Sequence, residues 1–140
     1  MSGLHGLDPV PAKVEYLAQN EWQSSHAYSP AVVTTGGRTI WLAGQTTETD
    51  LDGQDIRGDV AAQARTIFKL LDRTLQRTGA SLANMVTMTV FLKDVRDSEK
   101  FIEVRREFFE HGKYPCSALL TISNFVRPGS VIEIQGVAVA

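Results

Sequence analysis

Glu133 is the residue whose setting most needs a chemical explanation. It stands in Val131-Ile132-Glu133-Ile134-Gln135-Gly136-Val137-Ala138-Val139-Ala140, a run that reads as a β-strand. Alternation places Ile132, Ile134, Gly136 and Ala138 on one side and Val131, Glu133, Gln135, Val137 and Val139 on the other. Both sides are mostly apolar, the pattern of a strand in a sheet covered on both faces. An ionised carboxylate is costly there unless something satisfies or uses it, which makes Glu133 the first candidate for chemistry. The plainer alternative is that Glu133 and Gln135 mark the wet face of a half-exposed sheet. Other chemistry finds less support in the residue types. His5, His26 and His111 are far apart in sequence and none has a second ligand at a recognised interval, so no metal site is expected. The single Cys116 rules out an intrachain disulfide and suits a reducing cytoplasm.

The elements that must hold such a strand follow from hydrophobic periodicity. Ala31 to Thr35 and Thr39 to Ala43 are β-prone runs around Gly36-Gly37, a pair that supplies the positive φ values of a tight hairpin. Asp59 is a plausible N-cap for a long helix with Val60, Ala64, Ile67, Leu71 and Leu75 along one stripe, and Gly79 is its stop. Val86 to Lys93 reads as a strand. Asp97 or Ser98 caps a second helix whose Phe101, Val104 and Phe108, beside Ile102 and Phe109, are expected in the core. Ser117 to Ile122 is a further strand, and Arg127-Pro128-Gly129 turns the chain into the C-terminal one. Residues 1–27, punctuated by Gly3, Gly6, Pro9 and Pro11, read as a partly ordered lead-in, with a short strand or turn between Lys13 and Ala18. Residues 28–140 form the expected domain.

The order of elements predicts an α+β fold, a single mixed β-sheet with two α-helices packed on one face. This leaves the other sheet face uncovered, and its apolar content calls for an oligomer built sheet against sheet. With 140 residues, 43% of them hydrophobic, the chain can enclose one core. Fourteen basic and sixteen acidic residues give a net charge of −2 without a basic cluster, so nucleic acid is not an expected partner. The first thirteen residues lack the charged start and apolar core of a signal peptide, and no stretch reaches membrane-spanning length; neither export nor a membrane is expected.

Six dispersed motifs then carry a resemblance: Tyr28-Ser29-Pro30, Leu42-Ala43-Gly44-Gln45, Asp-Val-Ala-Ala-Gln-Ala from Asp59 to Ala64, Thr89-Val90-Phe91-Leu92-Lys93-Asp94, Phe108-Phe109 and Ile132-Glu133-Ile134. In order and spacing the chain resembles the RidA family, also called YjgF, from about Tyr28 to Val139. The resemblance implies a chorismate mutase-like fold and a homotrimer with sheets packed centrally, helices outside and clefts between subunits. It also implies cofactor-free hydrolysis of a small-molecule enamine or imine to a carbonyl compound and ammonia. Residue by residue, Glu133 matches the glutamate that positions and deprotonates the attacking water. Gly44 matches a glycine whose backbone N–H points at the substrate, and Tyr28 a tyrosine of the cleft wall.

Two departures bear on substrate choice. Where relatives acting on 2-imino acids place a carboxylate-clamping arginine two residues after Pro115, this chain has Ser117, followed by Ala118-Leu119-Leu120. Serine cannot replace a guanidinium fork. Ile102 stands where the family often has asparagine, so the pocket, with Ser117, Leu119 and Ile102 as substrate-binding residues, is expected to be more apolar. The implied substrate therefore differs from 2-aminoacrylate, and an aminomuconate-type dienamine is an example of the class expected. Arg105 and Arg127 are both open as replacement anion clamps. Restoring arginine at 117 is expected to raise activity on 2-aminoacrylate where its neighbours leave room. The competing reading is a non-catalytic small-metabolite-binding or chaperone-like protein of the same fold. Nuclease activity, known among relatives, has no His pair or basic groove behind it here.

Overall fold

The computed structural model describes residues 10–140. The opening part of the expected lead-in, with His5, lies outside them. The elements run β1 (Lys13–Tyr16), α1 (Glu21–Ser25), β2 (Val32–Thr35), β3 (Thr39–Trp41), α2 (Val60–Gln76), β4 (Met85–Leu92), α3 (Ser98–Phe108), β5 (Cys116–Thr121) and β6 (Ile132–Val139). Four strands form one mixed sheet in the order β3-β6-β4-β5, antiparallel except for the parallel pair β4 and β5. β1 and β2 form a separate antiparallel ladder. Part of the stretch read as lead-in is thus paired structure.

The expected hairpin at Gly36-Gly37 is corrected in one respect. Both glycines do take positive φ, +69° and +72°, yet β2 and β3 do not pair with each other. The turn is claimed from outside: Gly37 N–H donates to Val10 O at 2.6 Å and Arg38 N–H to Ala140 O at 2.7 Å. These bonds send β2 to β1 and β3 to β6, so the turn joins two ladders.

α2 forms where the stripe predicts. The Asp59 side chain accepts from Ala62 N–H at 3.1 Å, filling one of the donors a helix start leaves open. Val60, Ala64, Ile67, Leu71 and Leu75 are all buried. α2 and α3 pack over the sheet face made by Met88, Val90, Leu92, Ile132, Ile134 and Ala138. Phe68 sits among Phe101, Phe108 and Phe109 at centroid distances of 5.1 to 6.1 Å, so these aromatics are core, as expected.

Gln63 completes the frame. Its side chain is fully buried, Nε2 donating to Ile56 O at 2.9 Å and Gly129 O at 2.8 Å while Oε1 accepts from Val131 N–H at 2.9 Å. One amide thereby fastens α2 to the loop before it and to the entry of β6. The opposite sheet face carries Thr87, Thr89, Phe91, Glu133, Gln135 and Val137, and no helix among the described residues lies over it. At its β3 edge Trp41, paired with Val137, is 79% exposed.

Candidate functional site

The open sheet face holds the first group of candidate residues. Register sets Glu133 opposite Phe91 and Gln135 opposite Thr89, so both polar side chains emerge on that face beside one another. The loop after β3 is tied down by reciprocal bonds, Gln45 N–H to Ile134 O at 2.9 Å and Ile134 N–H to Gln45 O at 3.1 Å. That pairing brings Gly44 against Glu133. A Cβ at residue 44 would stand 2.7 Å from Glu133 Oε2 and 3.0 Å from Cδ, closer than side-chain carbons approach, so only glycine lets the half-buried carboxylate lie along this stretch of main chain. Gly44 also borders a cavity of about 460 Å³ shared with Gln45, Glu48, Leu70 and Arg127. Arg127 there lies 3.6 Å from the Glu48 carboxylate, so its charge already has a partner.

The second group lies on the other side of the sheet, at the edge formed by α3 and β5. Ser117 pairs with Met88 and Leu119 with Val90, which puts both on the helix-covered face, opposite to Glu133. Tyr28, Ile102, Ser117 and Leu119 line a cavity of about 320 Å³ together with Trp22, His26 and Arg105. Tyr28 is placed by its neighbour: the buried Ser29 Oγ donates to Tyr114 O at 2.6 Å and Ser29 N–H to Pro115 O at 3.1 Å. Before Tyr28, Ala27 has φ of +59° and no exposed surface, a left-handed conformation that a non-glycine residue holds only at a cost of about 1–2 kcal/mol.

What that strained turn presents is the His26 carbonyl, which accepts from Arg105 Nη2 at 2.8 Å. Arg105 Nη1 donates to Ser117 Oγ at 2.8 Å, and its guanidinium carbon lies 5.0 Å from the centre of the Phe101 ring. The side chain is 2% exposed and its Nε–H has no acceptor among the described residues. Burial, reinforced by the charge of nearby Arg106, lowers the Arg105 pKa to about 10, which leaves the guanidinium cationic at neutral pH. On the cavity's outer side His26 and Trp22 stack with centroids 3.9 Å apart.

The expected site residues thus fall into two groups, Glu133 with Gly44 and Tyr28 with Ile102, Ser117 and Leu119, on opposite faces of one chain's sheet. Residues 18–140 match the profile of the family described as endoribonuclease L-PSP. The chain belongs to this RidA/YjgF family. A rat relative named 2-iminobutanoate/2-iminopropanoate deaminase is 34% identical over 113 residues, 81% of this chain and 80% of that protein. Protein DfrA of Myxococcus xanthus is 33% identical over 81% of this chain and 85% of its own length. Among solved structures, RidA from the Antarctic bacterium Psychrobacter sp. PAMC 21119 superposes with a TM-score of 0.66 at 27% identity, covering 81% of this chain and 88% of that one. The Rid protein YyfB of Yersinia pestis, at 20% identity, shares the fold with a TM-score of 0.74 over 94% of this chain and all of its own. Imine deaminase activity is thus named within the RidA/YjgF family. No helix among the described residues is long and apolar enough to cross a membrane.

Two contributors to the candidate site and one to the frame behind it escape a reading by periodicity. Helix α1, which supplies Trp22 and His26, has five residues, too few to show a stripe, although Asn20 and Gln23 form a capping box that marks its start. Arg105 falls four residues after Phe101 and three before Phe108, on the apolar side of α3, and that position was the available sign of its burial. Gln63 likewise stands on the buried side of α2, one residue before Ala64.

Proposed function

We propose that this RidA/YjgF chain hydrolyses a small enamine or imine to a carbonyl compound and ammonia, in clefts between the subunits of a homotrimer, with Glu133 holding the attacking water. The observation that carries the proposal is the Glu133 carboxylate laid against the Gly44 backbone on an open sheet face, where water and a flat C=N group both have access. Glu133 takes a proton from the water as its oxygen bonds to the imine carbon. The C=N π electrons pass to nitrogen, which receives the proton from Glu133 to give a neutral carbinolamine; Glu133 then takes the hydroxyl proton and passes it to the same nitrogen, so that the C–N bond breaks, ammonia leaves and the carbonyl forms. An enamine enters the same sequence after a proton moves from its nitrogen to its β-carbon.

Assembly is part of the proposal because the two groups of site residues face opposite ways in one chain. A second copy set sheet against sheet supplies a neighbour for the Glu133 face, and the exposed Trp41 on that face supports such packing. Ser117 in place of an arginine supports a substrate other than 2-aminoacrylate, and Ile102 and Leu119 favour one with a larger apolar body. The lone Cys116 suits work in the cytoplasm. The same Ser117 favours the second reading, a non-catalytic metabolite-binding or chaperone-like protein. Ammonia release decides between them, measured over a panel of enamines and imines generated in situ by an amino-acid oxidase or a dehydratase. Release above the uncatalysed rate from at least one member supports the deaminase, and none from any member supports the binding protein.

A further inference from the structure

Arg105 is the group in this chain whose chemistry is least used by the fold. It is a cation, 2% exposed, and no carboxylate among the described residues lies within 4 Å of it, the ion pairs being formed elsewhere. Buried arginines are normally paired, because desolvating a charge is costly and an acceptor anion offsets the cost. The guanidinium has two protein acceptors, His26 O and Ser117 Oγ, and more N–H groups than they can occupy, Nε–H among them.

Ser117 completes the arrangement. Its oxygen accepts from Arg105 Nη1 at 2.8 Å, so its own O–H is left to donate, and the carbonyl nearest to it, Ala118 O, is at 3.4 Å, a long and weak contact. A hydroxyl polarised by a guanidinium is a strong donor to an anionic oxygen. Both side chains border the 320 Å³ cavity, whose remaining walls include Trp22, Ile102 and Leu119.

We propose that Arg105 and Ser117 together form the carboxylate-binding end of this cavity, and that its ligand is a small organic monoanion whose apolar body lies against Trp22, Ile102 and Leu119. The guanidinium comes from helix α3 and acts largely through the β5 serine, so the anion sits farther from the positive charge than it would on a direct arginine fork, and the space so freed admits a larger body. This deepens the deaminase reading by giving the substrate a carboxylate, and it rests on that reading only for the substrate's being an enamine or imine.

The test is equilibrium binding to the full-length assembled protein, followed by titration calorimetry and by shifts of backbone amide resonances. The probes are 3-phenylpropanoate and its uncharged isostere 3-phenylpropanamide. The acid should bind at least about tenfold more tightly than the amide, the expected value of one charge-assisted pair. Ser117→Ala should weaken the acid about three- to tenfold and leave the amide unchanged, while Arg105→Met should bring the acid down to the amide's affinity. If Arg105→Met fails to fold, the wild-type acid-to-amide ratio and Ser117→Ala still decide. Equal binding of acid and amide, or acid binding indifferent to Ser117→Ala, overturns the assignment. Glu133→Gln separates it from the proposed function: acid binding should persist in that variant. Acid-selective binding without turnover of any enamine would uphold the Arg105 site and remove the deaminase, whereas turnover without acid selectivity would do the reverse.

Discussion

Glu133 Oε2 lies 2.7 Å from the point that a Cβ on Gly44 would occupy. A carboxylate from the last strand and a glycine eighty-nine residues earlier are thereby fitted to each other, and neither position can change size without moving the other. Gly44→Ala tests that fit. The atom displaced is the free end of a flexible side chain, so the fold should lose no more than about 1 kcal/mol, while turnover falls at least about tenfold because the carboxylate is turned from its place. Thermal melts beside initial rates of ammonia release would separate the two effects; unchanged rates would mean that the close approach has no part in the chemistry.

Glu133→Gln keeps the side-chain shape but removes the ability to accept a proton. The variant should fold and assemble as the parent does and lose roughly 10²–10⁴-fold in kcat, the range for a missing general base. Undiminished ammonia release would end the catalytic reading of this strand, and failure to assemble would make the glutamate structural.

Leu71 is 2% exposed in the middle of the α2 stripe. Leu71→Ala should cost about 2–5 kcal/mol, visible as a lowered midpoint in urea with little change in slope.

Trp41 tests the assembly. The wild-type chain of 15.4 kDa should sediment as a trimer, and Trp41→Asp, which sets a charge on the face proposed to be covered, should shift it toward the single chain. A wild-type protein sedimenting as a monomer or stable dimer would contradict the arrangement.

Ser117→Arg would replace the oxygen that now accepts from Arg105 at 2.8 Å by a methylene and bring a second guanidinium into the same pocket. The lost acceptor and the repulsion between two cations there turn the expectation of a gain on 2-aminoacrylate, which depended on room at residue 117, into a lowered melting temperature and no gain. Pairing it with Arg105→Leu should restore stability, and only the double variant should then acquire that activity. A stable, active single variant would show that the two guanidinium groups find separate places.

The sequence by itself determined the elements and which of their faces are greasy, because those are properties of neighbours in the chain. A 3.6-residue stripe from Val60 to Leu75, alternation from Ile132 to Val139, and the capping side chain of Asp59 are all local, and all three stand in the structure as they read. The spacing of six motifs, with Glu133 in the last, was enough to place the chain in its family. Only the tertiary structure decided partnership. Gly36 and Gly37 signalled a turn correctly, but whether β2 meets β3 depends on bonds to Val10 and Ala140, which no window around the turn contains. The same reason hides the site. Arg105, written as one more charge in α3, becomes a buried cation only because β5 and the strained turn at Ala27 close over it, and Ser117 becomes its acceptor through a pairing of β5 with β4 that the sequence does not spell out.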